Sequence, residues 1–319
     1  MSFLDIKNLV IHFKSQMGNV HAVDGVSFGL HEGEILGLAG ESGCGKTTSA
    51  LSIPRLLPDN AMIINGNIFF NDEDLLLKTE NEMEHIRWRK IAVVFQGAMN
   101  ALNPVKTIEN QIIEPIFQHE PGISHREAKH RALDLLIQVG IEPSRARNYP
   151  HEFSGGMRQR AMIAMSLVCK PKLVIADEPV TALDVMIQAQ IMNLLKELVS
   201  KFNLSMILIS HDLSIIAETC SSVVIMYAGK ILEKGSVSSV FSHPAHPYTQ
   251  ALIRAFPDIH KTREFVEGIP GYPPNLIHPP EGCRFFERCK VRLENCQDEE
   301  PSMTILESNQ QAACHLLNK

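Results

Sequence analysis

The chain has 319 residues, of which 45% are hydrophobic and 21% charged, a composition that excludes a disordered or collagen-like polymer. Thirty Lys and Arg against 36 Asp and Glu give a formal charge of −6, so no bulk attraction to nucleic acid or anionic lipid is expected. No stretch approaches the roughly 18 apolar residues that cross a bilayer, and the first residues lack a signal-peptide pattern, which predicts a cytosolic protein.

The first thirty residues alternate between apolar and polar, which predicts a small antiparallel sheet. Short apolar runs then recur between helix-length segments, as is typical of buried parallel strands in an α/β fold. These runs lie at 34–40, 91–96, 172–177, 205–210 and 223–229.

Residues 103–147 carry a helical pattern that we interpret as a helical insertion. Within it, Ala128, Leu133, Leu136 and Ile137 are expected near one face of a helix. After Gly235 the chain becomes rich in Pro and His, which predicts a linker and the end of the core.

Residues 40–47 read GESGCGKT and follow the apolar run 34–40 directly. In such a loop, glycines let backbone N–H groups curl around phosphate oxygens, and the following helix N-terminus adds partial positive charge. We expect Lys46 to neutralise the β and γ phosphates and Thr47 to ligate Mg²⁺. The other candidate nucleotide-binding residues are Gly40, Glu41, Ser42, Gly43, Cys44, Gly45 and Thr48. The loop alone leaves kinases, GTPases, helicases and transporters open.

The run 172–179 reads KLVIADEP, an apolar strand that ends in two carboxylates. A βα fold places its ligand at this end of a strand. Asp177 is expected to hold Mg²⁺ through water, and Glu178 to polarise a water for attack on the γ-phosphate.

Between these motifs, residues 153–160 read FSGGMRQR, where two glycines open a helix and Ser154 offers a hydroxyl to an anion. In this order and spacing, the three motifs resemble the ATPase subunit of an ATP-binding cassette (ABC) transporter. The resemblance implies a P-loop NTPase with a RecA-like core, an N-terminal antiparallel β subdomain and an α-helical subdomain at about 97–165. A small cysteine-rich extension would follow.

The resemblance also implies that two cassettes pair head to tail, so that Ser154, Gly155 and Gly156 contact the nucleotide of a partner. It assigns Gln96 to sensing Mg²⁺ and the attacking water, and His211 to the γ-phosphate. Asp184, in the TALD segment, would belong to the loop that crosses the dimer, and Phe13 would stack on adenine. The signature departs from the commonest LSGGQ, because Met157 replaces a residue whose amide contacts ribose.

Four further stretches resemble the ATPase subunits of dipeptide and oligopeptide importers. They lie at 95–104, 242–257, 268–276 and 279–289. The resemblance implies a second, distinct ABC ATPase subunit, with a homodimer possible in isolation, two transmembrane permease subunits and an extracytoplasmic solute-binding protein. It places the chain at the cytoplasmic face of the cell membrane, without nucleic acid. Some such importers carry nickel complexes or oligosaccharides, so the solute stays open.

On this interpretation residues 1–240 form the ABC ATPase domain and 241–319 a linker and cysteine-rich extension. The cysteines of the extension are Cys283, Cys289, Cys296 and Cys314. Four thiols suit zinc or an iron–sulfur cluster. Their spacing is wider than in structural zinc sites, and the resemblance implies a four-iron four-sulfur cluster, with Zn²⁺ or free thiols as alternatives. Arg284, Arg288, Lys290 and Arg292 would offset the charge of such a centre or form a solvated basic face.

The main rival function is a soluble ABC ATPase of nucleic-acid repair or ribosome recycling. Repair proteins need a long heptad insertion, whereas only about 110 residues separate the phosphate loop from the SGG turn here, without sustained heptads. Recycling factors carry two cassettes, whereas each motif occurs once in this chain. A non-catalytic cassette would have lost Glu178 or His211, and both are present.

Overall fold

The computed structural model describes residues 3–97, 101–255 and 268–317. Residues 98–100 of the helical insertion, 256–267 of the linker and the last two residues of the extension lie outside this part. The strands are β1 (Leu4–Ser15), β2 (Gly18–Leu30), β3 (Ile35–Ala39), β4 (Ala61–Phe70), β5 (Glu73–Asp74), β6 (Ile91–Val94), β7 (Leu173–Asp177), β8 (Ser205–Ile209), β9 (Ser222–Tyr227), β10 (Lys230–Ser236), β11 (Met303–Ile305) and β12 (Gln311–Ala313). The helices are α1 (Lys46–Ser52), α2 (Glu80–Ile86), α3 (Ile108–His119), α4 (His125–Gln138), α5 (Gly155–Leu167), α6 (Val185–Phe202), α7 (Leu213–Thr219), α8 (Val237–Ser242) and α9 (Pro247–Arg254).

The chain divides into two compact units. The first combines Met1–Leu76 with Ser210–Lys319, and the second is Leu77–Ile209. The cysteine-rich extension therefore belongs to the same unit as the N-terminal strands and the phosphate loop.

The first unit begins with an antiparallel sheet of order β2-β1-β4-β5. Strand β1 pairs with β2 from Leu4 opposite Leu30 to Ser15 opposite Gly18. Its apolar residues Leu4 and Ile6 are fully buried, because alternate side chains of a strand point to one face. A shift of register after Ile6 moves the buried positions to Leu9 and Ile11. The predicted antiparallel sheet is confirmed.

In the same unit, β3 pairs in parallel with β9, and β9 pairs antiparallel with β10. Strand β12, from the C-terminal extension, joins the other edge of β10 and pairs with β11. The extension thus continues the sheet that carries the phosphate loop at the end of β3.

The second unit contains the parallel strands β6, β7 and β8 in spatial order β6-β7-β8. Every residue of β7 and β8 is buried, as expected for strands covered on both faces. The five apolar runs of the sequence are all strands, so the predicted α/β class is confirmed.

Helix α4 begins at a capping box in which Ser124 and Glu127 bond to each other's backbone N–H groups. Its buried face holds Ala128 and Leu136, as expected, together with Ala132 and Leu135. The expectation for Ile137 is wrong, because this side chain is 57% exposed. Nine positions at 100° per residue place residue 137 half a turn away from residue 128.

A buried carboxylate joins the extension to the core of the first unit. Glu233, in β10, is fully buried and accepts hydrogen bonds from the N–H groups of Ala245 (2.8 Å) and His246 (2.9 Å). Its third donor is the Gln310 side-chain amide, at 2.5 Å. One side chain therefore connects β10, the start of α9 and the extension.

We expect Glu233→Ala to lower the free energy of unfolding by about 3 kcal/mol, because three donors, two of them in buried hydrogen bonds, lose their carboxylate acceptor. The measurement is urea unfolding of the full chain, with the exposed Glu281→Ala as a control that removes the same charge. Equal stability of the two variants would contradict this role for Glu233.

Candidate functional site

The phosphate loop curls around the side chain of Lys46. Strand β3 ends at Ala39 and α1 begins at Lys46, so residues 40–45 form the connection. The Lys46 ammonium donates to the carbonyl oxygens of Gly40 (2.7 Å) and Glu41 (2.9 Å). Lys46 is only 5% exposed, and a buried cation needs such acceptors.

Two loop positions accept glycine only. Gly40 has φ +144°, and a Cβ there would lie 2.1 Å from the Met226 carbonyl oxygen. Gly45 has φ +101°, and its Cβ would lie 2.4 Å from the Ala22 carbonyl oxygen. Both the backbone conformation and the contacts exclude a side chain, so the neighbouring strands hold the loop in this shape.

The remaining loop residues divide by exposure. Ser42, Gly43 and Thr47 are exposed, Thr48 is half-buried and Cys44 is buried. Burial raises the pKa of the Cys44 thiol, which therefore stays neutral and packs as a small apolar group. Ser42 and Thr47 are thus the exposed residues of the loop that carry a hydroxyl.

An ion pair that the sequence motifs do not reveal anchors Glu41. The Arg288 guanidinium donates to both carboxylate oxygens of Glu41, at 2.7 and 2.9 Å. Arg284 likewise donates to the Ala228 carbonyl and the Asp24 carboxylate. The interpretation of a solvated basic face is wrong for both arginines, which are buried, whereas Lys290 and Arg292 are exposed.

In the second unit, Gln96 and Glu178 lie in contact. Gln96 follows β6 and Glu178 follows β7, and these strands are parallel neighbours, so their carboxyl ends meet. The Gln96 amide donates to Glu178 Oε2 at 2.9 Å. Thr181 Oγ1 donates to the same oxygen, also at 2.9 Å. Asp177, at the end of β7, is buried.

Sequence reasoning missed Thr181 as a partner of this carboxylate. The available signal was its position three residues after Glu178, within the TALD segment. Glu178 has φ 44°, in the left-handed region, which bends the chain back so that Thr181 reaches its carboxylate.

The SGG turn begins α5. The Ser154 hydroxyl accepts the N–H of Met157 at 3.3 Å and so caps the helix. A Cβ on Gly156 would lie 2.7 Å from Ile187 Cγ2, so this glycine lets α5 pack closely against α6. The buried atoms Nε of Arg158 and Nε2 of Gln159 have no acceptor among the described residues.

The start of α6 lies beside this turn. Asp184 caps α6 by accepting the N–H of Ile187 at 3.0 Å. The next two residues, Val185 and Met186, are 79% and 72% exposed. The second unit thus presents a surface formed by the SGG turn and the start of α6, which we call the SGG/α6 surface (Ser154–Gly156 and Asp184–Met186).

His211 and Phe13 belong to the first unit. His211 is exposed and precedes Asp212, which caps α7 through the N–H of Ser214 at 2.8 Å. Phe13 lies in β1 between Val20 of β2 and Ala61 of β4 and is half-buried. Its proposed role as an adenine platform stays a prediction.

The four cysteines of the extension line one cavity of about 10 Å³, roughly the volume that holds one water molecule. Burial raises the pKa of Cys283 to about 11 and also raises those of Cys289 and Cys314, which favours neutral thiols. His246 lines the same cavity, and burial lowers its pKa to about 3, so its ring is neutral.

In the described ranges, no group of three or more His, Cys, Asp or Glu side chains lies in an arrangement that could hold a metal ion. The predicted four-iron four-sulfur cluster, with Zn²⁺ as the alternative, therefore has no support in the positions of these thiols. The convergence of four cysteines on one cavity is what the structure does show.

Across the described residues, none of the helices combines the length and the hydropathy needed to cross a bilayer.

Two family models match the chain. The model described as ABC transporter matches residues 23–181, and the one described as oligopeptide/dipeptide transporter, C-terminal region, matches residues 232–296. The dipeptide transport ATP-binding protein DppD of Escherichia coli K12 is 42% identical over 99% of this chain and 97% of its own. The oligopeptide transport ATP-binding protein OppD of Haemophilus influenzae is 43% identical over 98% and 97%.

Among solved structures, the dimeric ATP-binding cassette MJ0796, bound to ADP and phosphate in a post-hydrolysis state, matches with a TM-score of 0.66. It is 28% identical over 73% of this chain and 98% of its own. The fold, the two matching models and the full-length identity lead to one conclusion: this chain belongs to the ATP-binding proteins of the dipeptide and oligopeptide ABC transporters.

Proposed function

We propose that this chain is the ATP-hydrolysing subunit of a membrane importer and couples ATP binding and hydrolysis to the uptake of di- or oligopeptides. The observation that carries the proposal is the loop 40–47, which buries Lys46 and exposes the hydroxyls of Ser42 and Thr47. The identity of the full chain to dipeptide and oligopeptide transport proteins supports the solute class.

In this proposal, residues 40–48 hold the ATP phosphates. Lys46 turns from the loop carbonyls to the β and γ phosphates, whose charge it neutralises. We assign Mg²⁺ to the hydroxyl of Thr47, the carboxylate of Asp177 and the amide oxygen of Gln96, because oxygen donors are the ligands that suit this ion. When bound, Mg²⁺ neutralises charge that develops on the phosphates.

Glu178 orients the attacking water and accepts its proton. The hydrogen bonds from Gln96 and Thr181 to one oxygen of Glu178 hold the carboxylate in place. His211 contacts the γ-phosphate, and Phe13 stacks on adenine.

We expect Glu178→Gln to bind ATP with nearly unchanged affinity and to hydrolyse it about 10²–10⁴ times more slowly, because removing a general base typically costs that factor. The measurements are phosphate release and ATP titration of the purified chain. Glu197→Gln, which neutralises an exposed carboxylate on α6, is the matched control. Hydrolysis at the wild-type rate in Glu178→Gln would remove Glu178 from this role.

The proposed active form is a pair of cassettes, either with a distinct sister ATPase or as a homodimer in isolation. The SGG/α6 surface supports this pairing, because it combines two exposed apolar side chains with a helix start that suits an anion. Ser154, Gly155 and Gly156 then complete the ATP site of the partner, and Asp184 lies at the crossing loop.

We expect Met186→Arg to prevent ATP-dependent pairing, because it places a charge in the centre of the proposed interface, and to leave ATP affinity unchanged. The measurement is the molar mass of Glu178→Gln protein with ATP, alone and with its sister subunit. Val105→Arg, at a similarly exposed residue of the same unit, is the control. Pairing of the Met186→Arg protein at the wild-type concentration would exclude the SGG/α6 surface.

The remaining partners in the proposal are two transmembrane permease subunits and an extracytoplasmic solute-binding protein, which places the chain at the cytoplasmic face of the membrane. A groove of about 440 Å³ along α3 supports a contact with the permease. It is lined by Ile113 and the exposed Phe117, between the polar side chains of Lys106 and His125. Closure of the pair would act on the permease through the helical insertion around residues 96–147.

We further propose that Cys283, Cys289, Cys296 and Cys314 hold a four-iron four-sulfur cluster. Their chemistry supports it, because four thiols around one cavity form a soft donor set. Binding would release protons, since burial holds the pKa values of Cys283, Cys289 and Cys314 above their usual range. The sulfurs would also have to move outward, because the cavity has room for about one water molecule.

We expect protein purified without oxygen to contain iron and to absorb visible light, and Cys289→Ser to lose both. Cys169→Ser, at a buried cysteine of the second unit, is the matched control and should keep both. The measurements are metal analysis and absorption spectroscopy. A colourless protein with one zinc per chain would favour the Zn²⁺ alternative, and metal-free protein would exclude both.

A further inference from the structure

Arg288 lies in the C-terminal extension, next in the chain to Cys289, and is 9% exposed. Its guanidinium donates to five acceptors. Two are the carboxylate oxygens of Glu41, at 2.7 and 2.9 Å, and a third is the Tyr227 hydroxyl at 3.2 Å. The carbonyl oxygens of Ile269 (3.1 Å) and Pro270 (2.9 Å) complete the set. A guanidinium has five N–H donors, so each of them has an acceptor.

Glu41 is the second residue of the phosphate loop, and three different groups hold it. Its carboxylate accepts the bidentate bond from Arg288, a geometry that fixes direction as well as distance. Its amide N–H donates to the Tyr248 hydroxyl at 3.0 Å. Its carbonyl oxygen accepts from the Lys46 ammonium at 2.9 Å. A displacement of the Glu41 side chain would therefore also move the Glu41 carbonyl oxygen, which accepts the hydrogen bond from Lys46.

From this connection we infer that Arg288 is a positioning residue of the ATP site. It holds the phosphate loop in its binding shape and neutralises an acidic group beside the triphosphate. The inference rests on the proposed assignment of residues 40–48 to the phosphates of ATP. It gives the extension a part in nucleotide affinity, separate from anything that its cysteines bind.

Electrostatics gives the direction of the effect. Without Arg288, the Glu41 carboxylate would be a partly buried, unpaired negative charge in the loop that receives ATP. Like charges at short range repel strongly where little water screens them, so ATP would bind more weakly. Chemistry at saturating ATP would change little, because the hydrogen bonds that orient Glu178 come from Gln96 and Thr181 rather than from Glu41 or Arg288.

The experiment titrates the full-length chain with ATP and compares Arg288→Gln with Arg292→Gln. Arg292 is an exposed arginine of the same extension and contacts the Phe286 ring. Its replacement by Gln removes the same charge and the same side chain as Arg288→Gln. We expect Arg288→Gln to raise the Kd for ATP about tenfold, which corresponds to about 1.4 kcal/mol. The KM for ATP should rise in parallel with kcat nearly unchanged, and Arg292→Gln should bind as wild type.

A double-mutant cycle separates positioning from general destabilisation. If Arg288 acts by neutralising and holding Glu41, then Glu41→Gln in the Arg288→Gln background should recover most of the lost affinity. A purely structural role predicts no recovery, since that change adds no packing. If Arg288→Gln does not fold, Arg288→Lys, which keeps the charge but not the fork, should bind ATP more weakly than wild type.

Three results would overturn the inference. They are an unchanged Kd for ATP in folded Arg288→Gln, an unchanged Kd in Arg288→Lys where only that variant folds, and a double variant no better than Arg288→Gln. Failure of the proposed function looks different, because the wild-type chain itself would then bind no ATP.

Discussion

The ammonium group of Lys46 is the constraint on which the phosphate loop depends. A cation that is 5% exposed must be surrounded by acceptors, and the acceptors here are backbone carbonyls of the loop itself. Those carbonyls point inward because Gly40 and Gly45 adopt conformations closed to other residues, pressed against the backbone of β2 and β9. The backbone of the neighbouring strands therefore fixes the shape of the loop. In the proposed function, phosphate oxygens would take the place of these carbonyls as partners of Lys46.

In the second unit, the structure holds the Glu178 carboxylate in one orientation at the end of β7. The left-handed backbone at Glu178 turns the chain, and two donors from separate segments meet on one carboxylate oxygen. The parallel pairing of β6 and β7 brings Gln96 and Glu178 together, because the carboxyl ends of neighbouring parallel strands lie side by side. Close packing of α5 on α6, allowed by Gly156, then brings the SGG turn and Asp184 to a common surface.

The sequence alone predicts those features of the fold that depend on residues close together in the chain. The five apolar runs, the antiparallel start and the phosphate loop follow from hydrophobic periodicity and from the glycine–lysine spacing, which are short-range signals. The prediction for Ile137 is wrong because residue 137 lies half a turn around the helix from Ala128, so its apolar side chain points away from the buried face. The pairing of Gln96 with Glu178 could be expected from strand adjacency, but the added bond from Thr181 depends on one unusual backbone angle.

The contacts of Arg288 lay beyond such signals. Glu41 and Arg288 are separated by 247 residues, and no sequence motif around either residue predicts the other as its partner. The cysteines show the opposite limit. Four thiols in one short segment predict a common centre, and they do line one cavity. The distances between their sulfur atoms, however, depend on tertiary packing. Burial of Arg284 and Arg288 likewise depends on which surface the extension covers. The amino-acid composition does not predict this contact.

The place of Glu233 bears on how this polypeptide can be shortened. A truncation after residue 240 would cut away all three donors of that buried acid, namely those of Ala245, His246 and Gln310. The same truncation would remove Arg288 and Tyr248, the hydrogen-bond partners of Glu41, and Arg284, which donates to Asp24. The described residues after 240, namely 241–255 and 268–317, are thus an integral part of the nucleotide-binding unit rather than a detachable appendage, and a minimal catalytic fragment of this protein must retain them.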